Sequence, residues 1–244
     1  VYSGTAATYD LDLAGYAPGD HTVVLTVIDD DGSTDQDSTT LTISNVPPTA
    51  DANGPYSGDR TETITLDGTG SSDADGSIVS YQWQVDGTQV YSGTAATYDL
   101  ALAGYALGDH TVVLTVIDDD GSTDQDSTTL TVVNVPPVAT VDSAGTNEDV
   151  PVEIDVLAND GDPDGTLDAA TVTIVTDPSD GSVTVNAVTG VVTYTPDVGF
   201  FGSDSFTYTV DDNDGATSNE ATVYVTVGEV NALPVAVDDT AETD

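Results

Sequence analysis

The stretch VIDDDGSTDQDSTTLT occupies Val27–Thr42 and recurs, unchanged over its sixteen residues, at Val116–Thr131. Apolar and polar residues alternate on either side of three aspartates and a glycine. Alternation with a period of two reads as two strands, and the Asp-Gly cluster between them as the turn. A strand–turn–strand unit that returns 89 residues later makes the chain all-β and built of repeats.

Outward from this hairpin the repeat widens. Residues 1–48 and 90–137 differ at only four positions: Asp12/Ala101, Pro18/Leu107, Ile43/Val132 and Ser44/Val133. A period near ninety residues suits a small β-sandwich and is too long for helical solenoid repeats. The motif NVPP at Asn45–Pro48 and Asn134–Pro137, then NALP at Asn231–Pro234, marks junctions where proline ends strand pairing and stiffens a short linker. The middle unit reads as strands TITLDG, IVSYQWQVDG, ATYDLAL, HTVVLTVID and STTLTVV. The third reads VPVEIDVLAND, ATVTIVTDP, GSVTVNAVTGVVTYTP, DSFTYTVDDNDG and EATVYVTV.

The expected architecture is therefore a series of Ig-like β-sandwich domains in an extended rod. Residues 1–46 are the later strands of a first domain, 47–137 a complete domain, 138–228 a third, and 229–244 the start of a fourth. Half a sandwich exposes its core face and strand edges. Either the sequence is a window cut from a longer chain, or a neighbouring chain supplies the missing strands.

Charge excludes whole classes of partner. Forty-four Asp and Glu stand against one Arg and no Lys, a net charge of −43. Nucleic acid and anionic membranes are repelled. The 38% of hydrophobic residues fall in alternating runs, which argues for a fold rather than a disordered acidic chain. Self-repulsion must then be offset by counterions, bound cations or a saline habitat. With no cysteine there are no disulfides, and no run of apolar residues is long enough to span a membrane as a helix.

The aspartates cluster where a sandwich brings loops together. With strand B at TITLDG, C at IVSYQWQV, F at HTVVLTVI and G at STTLTVV, the B–C and F–G loops share one pole. That pole collects Asp73 and Asp75 from SSDADG, and Asp118, Asp119 and Asp120 from DDDG, with Asn53 on the approach of strand A. Converging carboxylates repel unless a cation lies among them, and an all-oxygen set without His or Cys suits Ca²⁺. Asp29 and Asp31 hold the same places in the first repeat. In the third unit Glu148, Asp160, Asp162, Asp164, Asp211 and Asp214 are the expected ligands. The competing reading is that DDG and DADG are only polar turns.

The stretch Pro47–Pro137, through GTGSSDADGSIVSYQWQVDG and GDHTVVLTVIDDDG, resembles the PKD (polycystic-kidney-disease type) Ig-like repeat of prokaryotic surface proteins. It departs from that family where a W-x-F-G-D-G turn is usual, since Trp83 is followed by QVDG. Residues 138–228, through NEDVPVEIDVLANDGDPDG and VTYTPDVGFFGSDSFTYTVDDNDG, resemble the bacterial cadherin-like or Ig-like repeats of large adhesins. Both resemblances imply calcium at this pole and a secreted, cell-surface, prokaryotic setting.

The remaining residues read as structural. Trp83 and Tyr81 alternate on strand C and point into the sandwich, and Phe200, Phe201, Phe206 and Tyr208 read as core. His21 and His110 occupy one repeat position, so a corner hydrogen bond or a surface place suits them better than catalysis. Without Lys, Cys or a G-x-S-x-G element, no nucleophile with a base is present, and no enzyme is expected. Three functions fit: a structural segment of a long surface protein stiffened by calcium, a self-assembling filament, or an accessory polysaccharide- or protein-binding module of a secreted hydrolase. The first is preferred, with neighbouring repeats, copies of the chain, and cell-surface or matrix ligands as partners.

Overall fold

Residues 3–231, the part of the chain that the computed structural model describes, form sixteen strands and no helix. Most of the expected fourth-repeat segment, beyond residue 231, lies outside the described residues. Contacts divide the chain into two compact units. One comprises Val1–Gly58, Thr63–Ala101 and Gly108–Thr131; the other comprises Asp59–Glu62, Leu102–Leu107 and Val132–Asp244.

In the first unit, β1 (Gly19–Ile28) and β2 (Thr34–Ile43) form an antiparallel hairpin in register from Gly19 opposite Ile43 to Ile28 opposite Thr34. The strands of the middle sandwich are β3 (Tyr56–Asp59), β4 (Thr63–Asp67), β5 (Ile78–Val85), β6 (Thr88–Gly93), β7 (Thr97–Ala101), β8 (Gly108–Asp118) and β9 (Thr123–Val133). One sheet has the order β3-β9-β8-β5-β6, and β4 pairs with β7 in the other. Their inner faces bury Leu66, Trp83, Val85, Leu100, Val112, Leu114, Val116 and Leu130. Trp83 is fully buried as expected from strand C, whereas Tyr81 is half-buried. The turn after β5 uses Asp86 and Gly87 at φ of 49° and 75°, the paired positive values that suit a two-residue hairpin turn.

The duplicated sequence isolates what the opposing strands contribute. Val112, Leu114 and Val116 have no exposure, while their equivalents Val23, Leu25 and Val27 are 41%, 63% and 53% exposed. The residues are the same. The difference is that β4–β7 close over one set, and no strands do so over the other among the described residues.

The second unit is built on β10 (Asp142–Asn147), β11 (Val152–Ile154), β12 (Leu167–Thr176), β13 (Gly181–Val185), β14 (Val192–Pro196), β15 (Gly202–Asp212) and β16 (Ala221–Gly228). Sheets of order β10-β16-β15-β12 and β11-β14-β13 enclose a core containing Val192, Tyr194, Phe206, Tyr208, Val210, Val223 and Val225. Phe200 packs against this core, but Phe201 is 54% exposed, a correction to its reading as core. Gly199, at φ 71°, turns the chain just ahead of these two phenylalanines, and only one of them goes inward.

Buried hydroxyls carry polar partners. Tyr194 donates to Asp204 Oδ2 at 2.9 Å, and the backbone N–H groups of Ser179, Asp180 and Ser205 also reach that carboxylate. Burial pushes the Asp204 carboxyl up, but these hydrogen bonds prevail and hold it below the usual carboxylate range.

Candidate functional site

Each residue of the DDDG turn has a distinct role. Asp118 builds the turn, its Oδ1 accepting the N–H of Asp120 at 3.1 Å and of Ser122 at 2.7 Å. Asp29 Oδ1 does the same for Asp31 and Ser33, and Asp212 Oδ1 for Asp214 and Ala216. The glycine that closes each turn, Gly32, Gly121 or Gly215, has φ between 84° and 91°, where a side chain is disfavoured. These are Asx-type turns, in which the aspartate replaces water at backbone donors.

The second residue staples the F–G loop to the B–C loop. Asp119 Oδ1 accepts from Ser77 N–H at 2.7 Å, and the Asp119 N–H donates to Ser77 O at 3.0 Å. In the second unit Asn213 makes the same pair of bonds with Thr166. The third residue, Asp120, lies among carboxylates. Burial, then the charges of Asp119, Asp118, Asp75 and Asp73, push its carboxyl above the usual range. Asp73, Asp75, Asp118 and Asp120 are thus near enough for their charges to act on one another.

The proline junction is tied to the same loops. Asn45 donates from Nδ2 to Asp118 Oδ2 at 2.8 Å and to Ser122 Oγ at 2.9 Å, and Val46 N–H donates to Asp75 Oδ2 at 3.1 Å. Asn134 donates to Asp212 Oδ2 at 2.8 Å, and Val135 N–H reaches the Asp164 carboxylate at 3.3 Å. Asp118 and Asp212 are nearly inaccessible. Burial raises their carboxyls, but bonds from the junction asparagine and the turn N–H groups hold both below the usual range. Asp164 has fewer such bonds and is raised, with burial as the largest cause.

One oxygen in each B–C loop remains unsatisfied. Asp73 Oδ2 and its counterpart Asp162 Oδ2 are buried without a hydrogen-bond partner, as is Asn134 Oδ1. Each carboxylate lies beside a glycine. A methyl group at Gly76 would press on Asp119 Oδ1 and Asp73 Oδ2, and one at Gly165 on Asn213 Oδ1 and Asp162 Oδ2. A buried carboxylate oxygen without a donor is costly, and a hard cation with oxygen ligands satisfies it. Among the described residues, no group of three or more His, Cys, Asp or Glu is arranged to hold a metal ion. An all-oxygen donor set with an orphaned carboxylate oxygen is the kind that suits a hard cation.

Several expected ligands lie elsewhere. Asp212, three residues before the turn glycine as Asp118 is, takes the place expected of Asp211. Asp211 lies on β15, with its N–H bonded to Thr171 Oγ1. Glu148 follows β10, whose last residue Asn147 pairs with Gly228 at the far end of β16, and it accepts from Val230 N–H. It is therefore at the opposite end of the sandwich from the Asp212–Gly215 turn. Asp160 faces Thr140 N–H and the Tyr208 hydroxyl rather than Asp162 and Asp164. Asn53 directs its side-chain N–H to Asp67 O at 2.9 Å. Asp29 and Asp31 form the turn without a B–C loop beside them among the described residues. Asp212, Asn45 and Asn134 were missed, while Asp119, expected at this pole, staples the two loops together. Counting back from the turn glycine finds Asp212, whereas the NVPP motif marks the asparagines only as part of a linker.

The histidines make local contacts: His110 Nδ1 lies 2.6 Å from Asp86 Oδ2, and His21 Nε2 2.7 Å from Ala17 O. No helix among the described residues is long and apolar enough to cross a membrane.

Residues 45–133 match the PKD domain family and residues 134–226 the family described as Bacterial Ig domain. Among curated proteins the chain is similar to the dyslexia-associated protein KIAA0319-like of Mus musculus. The two are 33% identical over 93% of this chain and 22% of that protein. It is also similar to the dyslexia-associated protein KIAA0319 of Homo sapiens, 32% identical over 62% of this chain and 15% of that one. The chain thus spans less than a quarter of these relatives. Among solved structures, the PKD1 domain of Vibrio anguillarum Epp is 29% identical over 36% of this chain and 95% of that one, with a TM-score of 0.28.

Proposed function

For a chain that carries a PKD domain followed by a bacterial Ig domain, we propose a structural or adhesive role as a segment of a long extracellular or cell-surface repeat protein, with calcium at the loop pole of each sandwich. The two domain families are structural rather than catalytic, which supports a non-enzymatic reading. The observation that carries the calcium half is the recurrence of one arrangement in two sandwiches of different sequence. In each, a buried B–C loop carboxylate oxygen lacks a donor, and the neighbouring carboxylates are tied to the junction Asn and Val.

The residues that would hold the ion are Asp73, Asp75, Asp118 and Asp120 at one pole, and Asp162, Asp164, Asp212 and Asp214 at the other. Bound calcium supplies the positive charge that lets these carboxylates approach one another. The chain's own part is transmission: Asn45 and Asn134 couple loop position to the proline junction through a single hydrogen bond to Asp118 or Asp212. Stiffening of the junction follows, because proline already restricts the linker and the asparagine fixes where it leaves the pole. Extracellular calcium modules work with dissociation constants of about 10⁻⁴ to 10⁻³ M, which suits a secreted setting.

Isothermal titration of the whole chain with calcium tests this against the variant Asp73→Asn/Asp162→Asn. Wild type is expected to bind in the submillimolar to millimolar range, and the variant about tenfold more weakly, a loss of about 1.4 kcal/mol per site. Equal affinities would remove these aspartates from the site. A second reading, self-assembly into a filament, is favoured by the exposed face of β1–β2, whose duplicate in the middle sandwich is covered. It is tested by sedimentation: concentration-dependent association that Val23→Glu/Leu25→Glu abolishes supports it, and a monomer at all concentrations opposes it.

A further inference from the structure

Arg60 is the single Lys or Arg in the chain, set against 44 Asp and Glu. It is carried by the turn Asp59–Glu62 between β3 and β4, which by its contacts belongs to the second unit. Within the turn, Asp59 Oδ1 accepts Thr61 N–H at 2.8 Å and Glu62 accepts Asp59 N–H at 3.1 Å, so the base of the arginine is fixed. The guanidinium then reaches three oxygens. Nε donates to Tyr105 O at 3.2 Å, and Nη1 donates to Asp164 O at 3.4 Å and to Asp214 Oδ2 at 2.9 Å. The two charged side chains are 21% and 22% exposed.

Asp164 and Asp214 are the counterparts of Asp75 and Asp120. The poles match residue for residue but differ in charge. The middle pole has Asp73, Asp75, Asp118, Asp119 and Asp120 and no lysine or arginine. The third sandwich's pole has Asp162, Asp164, Asp212 and Asp214, with the neutral Asn213 in place of Asp119, and Arg60 against it. A chain with one positive residue has placed it at one of two equivalent acidic sites. The shape suits arginine in particular, because a planar fork can serve two carbonyls and a carboxylate from one position, which an ammonium cannot.

We infer that Arg60 is a built-in counter-ion of the third sandwich's acidic pole, doing there what a soluble cation must do at the middle pole, so that the two poles differ in their demand for calcium. The calcium half rests on the function proposed above; the counter-ion half does not.

The experiment is calorimetric unfolding of the whole chain and of Arg60→Gln, Arg60→Lys, Asp214→Asn and the Arg60→Gln/Asp214→Asn double variant, in chelator at low and high NaCl. Arg60→Gln is expected to lower the midpoint of the second unit by roughly 2–5 °C at low salt, with the loss shrinking at high salt. Arg60→Lys should restore part of it, and Arg60→Gln should cost less in the Asp214→Asn background. A midpoint unchanged by Arg60→Gln, or a loss that salt and Asp214→Asn leave intact, overturns the counter-ion role. Repeating the set in millimolar calcium, Arg60→Gln should show the larger calcium-induced rise in that transition. Equal rises in the two chains overturn the differential demand, and no rise in either overturns the calcium function itself while the chelator comparison still decides the role of Arg60.

Discussion

Asp118 shows why an aspartate, rather than any polar turn residue, stands at the head of the repeated motif. Its Oδ1 closes the turn on two backbone N–H groups while its Oδ2 holds Asn45. Asparagine could keep the first function and not the second. Asp118→Asn is therefore expected to leave the turn folded but free the junction, read as faster amide exchange at Val46 and Asn45 with exchange in β8 unchanged. Asp204 has no ligand role and tests the structural side: Asp204→Ala strands the Tyr194 hydroxyl and three backbone donors, and should cost about 2–3 kcal/mol in denaturant unfolding. Three of the expected ligands that lie elsewhere share one cause. Glu148, Asp160 and Asp211 belong to acidic runs in which neighbouring residues differ in direction. Only the strand register separates Asp212, at the turn, from Asp211, bonded through its N–H to β12.

At the scale of the element, the hairpin and its alternation were legible, because period-two patterns force one face inward wherever a second sheet exists. Strand C is the clearest case, with Trp83 at the centre of the buried face and opposite Leu114 on β8. Trp83→Ala is expected to destabilise the middle sandwich by about 3–5 kcal/mol, measured by the loss of its unfolding transition midpoint in urea. The B–C loop depends on a glycine instead. Gly76→Ala puts a methyl against Asp119 Oδ1 and Asp73 Oδ2, so it should weaken calcium binding at the middle pole while leaving the second unit's transition in place. The tie from Asn45 and Asn134 to the loops was not legible. An NVPP motif signals a linker by its prolines, and nothing in its composition says that the preceding asparagine bonds to an aspartate more than seventy residues away.

For the whole molecule the dominant fact is a net charge of −43, which makes stability a question of protons and cations. Asp118, Asp204 and Asp212 are held below the ordinary carboxylate range, so their contribution is complete above about pH 4 and is lost as pH falls through their folded values. Asp120, Asp142, Asp160 and Asp164 are raised, with burial as the leading cause. For these the folded chain binds more protons than the unfolded one above about pH 4, and stability falls as pH rises through that window. In chelator the midpoint should therefore peak at mildly acidic pH, and calcium should flatten the decline toward neutrality. The most direct measurement is thermal unfolding of the chain at pH 7 in chelator, in millimolar calcium and in millimolar magnesium, at one fixed high sodium concentration. Ligation by the repeated aspartates requires a rise with calcium that magnesium does not match and that grows with the logarithm of calcium concentration, reaching about 2.7 kcal/mol at a hundredfold excess over the dissociation constant. Identical midpoints in all three would mean that the aspartates build turns and tie the junctions but hold no calcium.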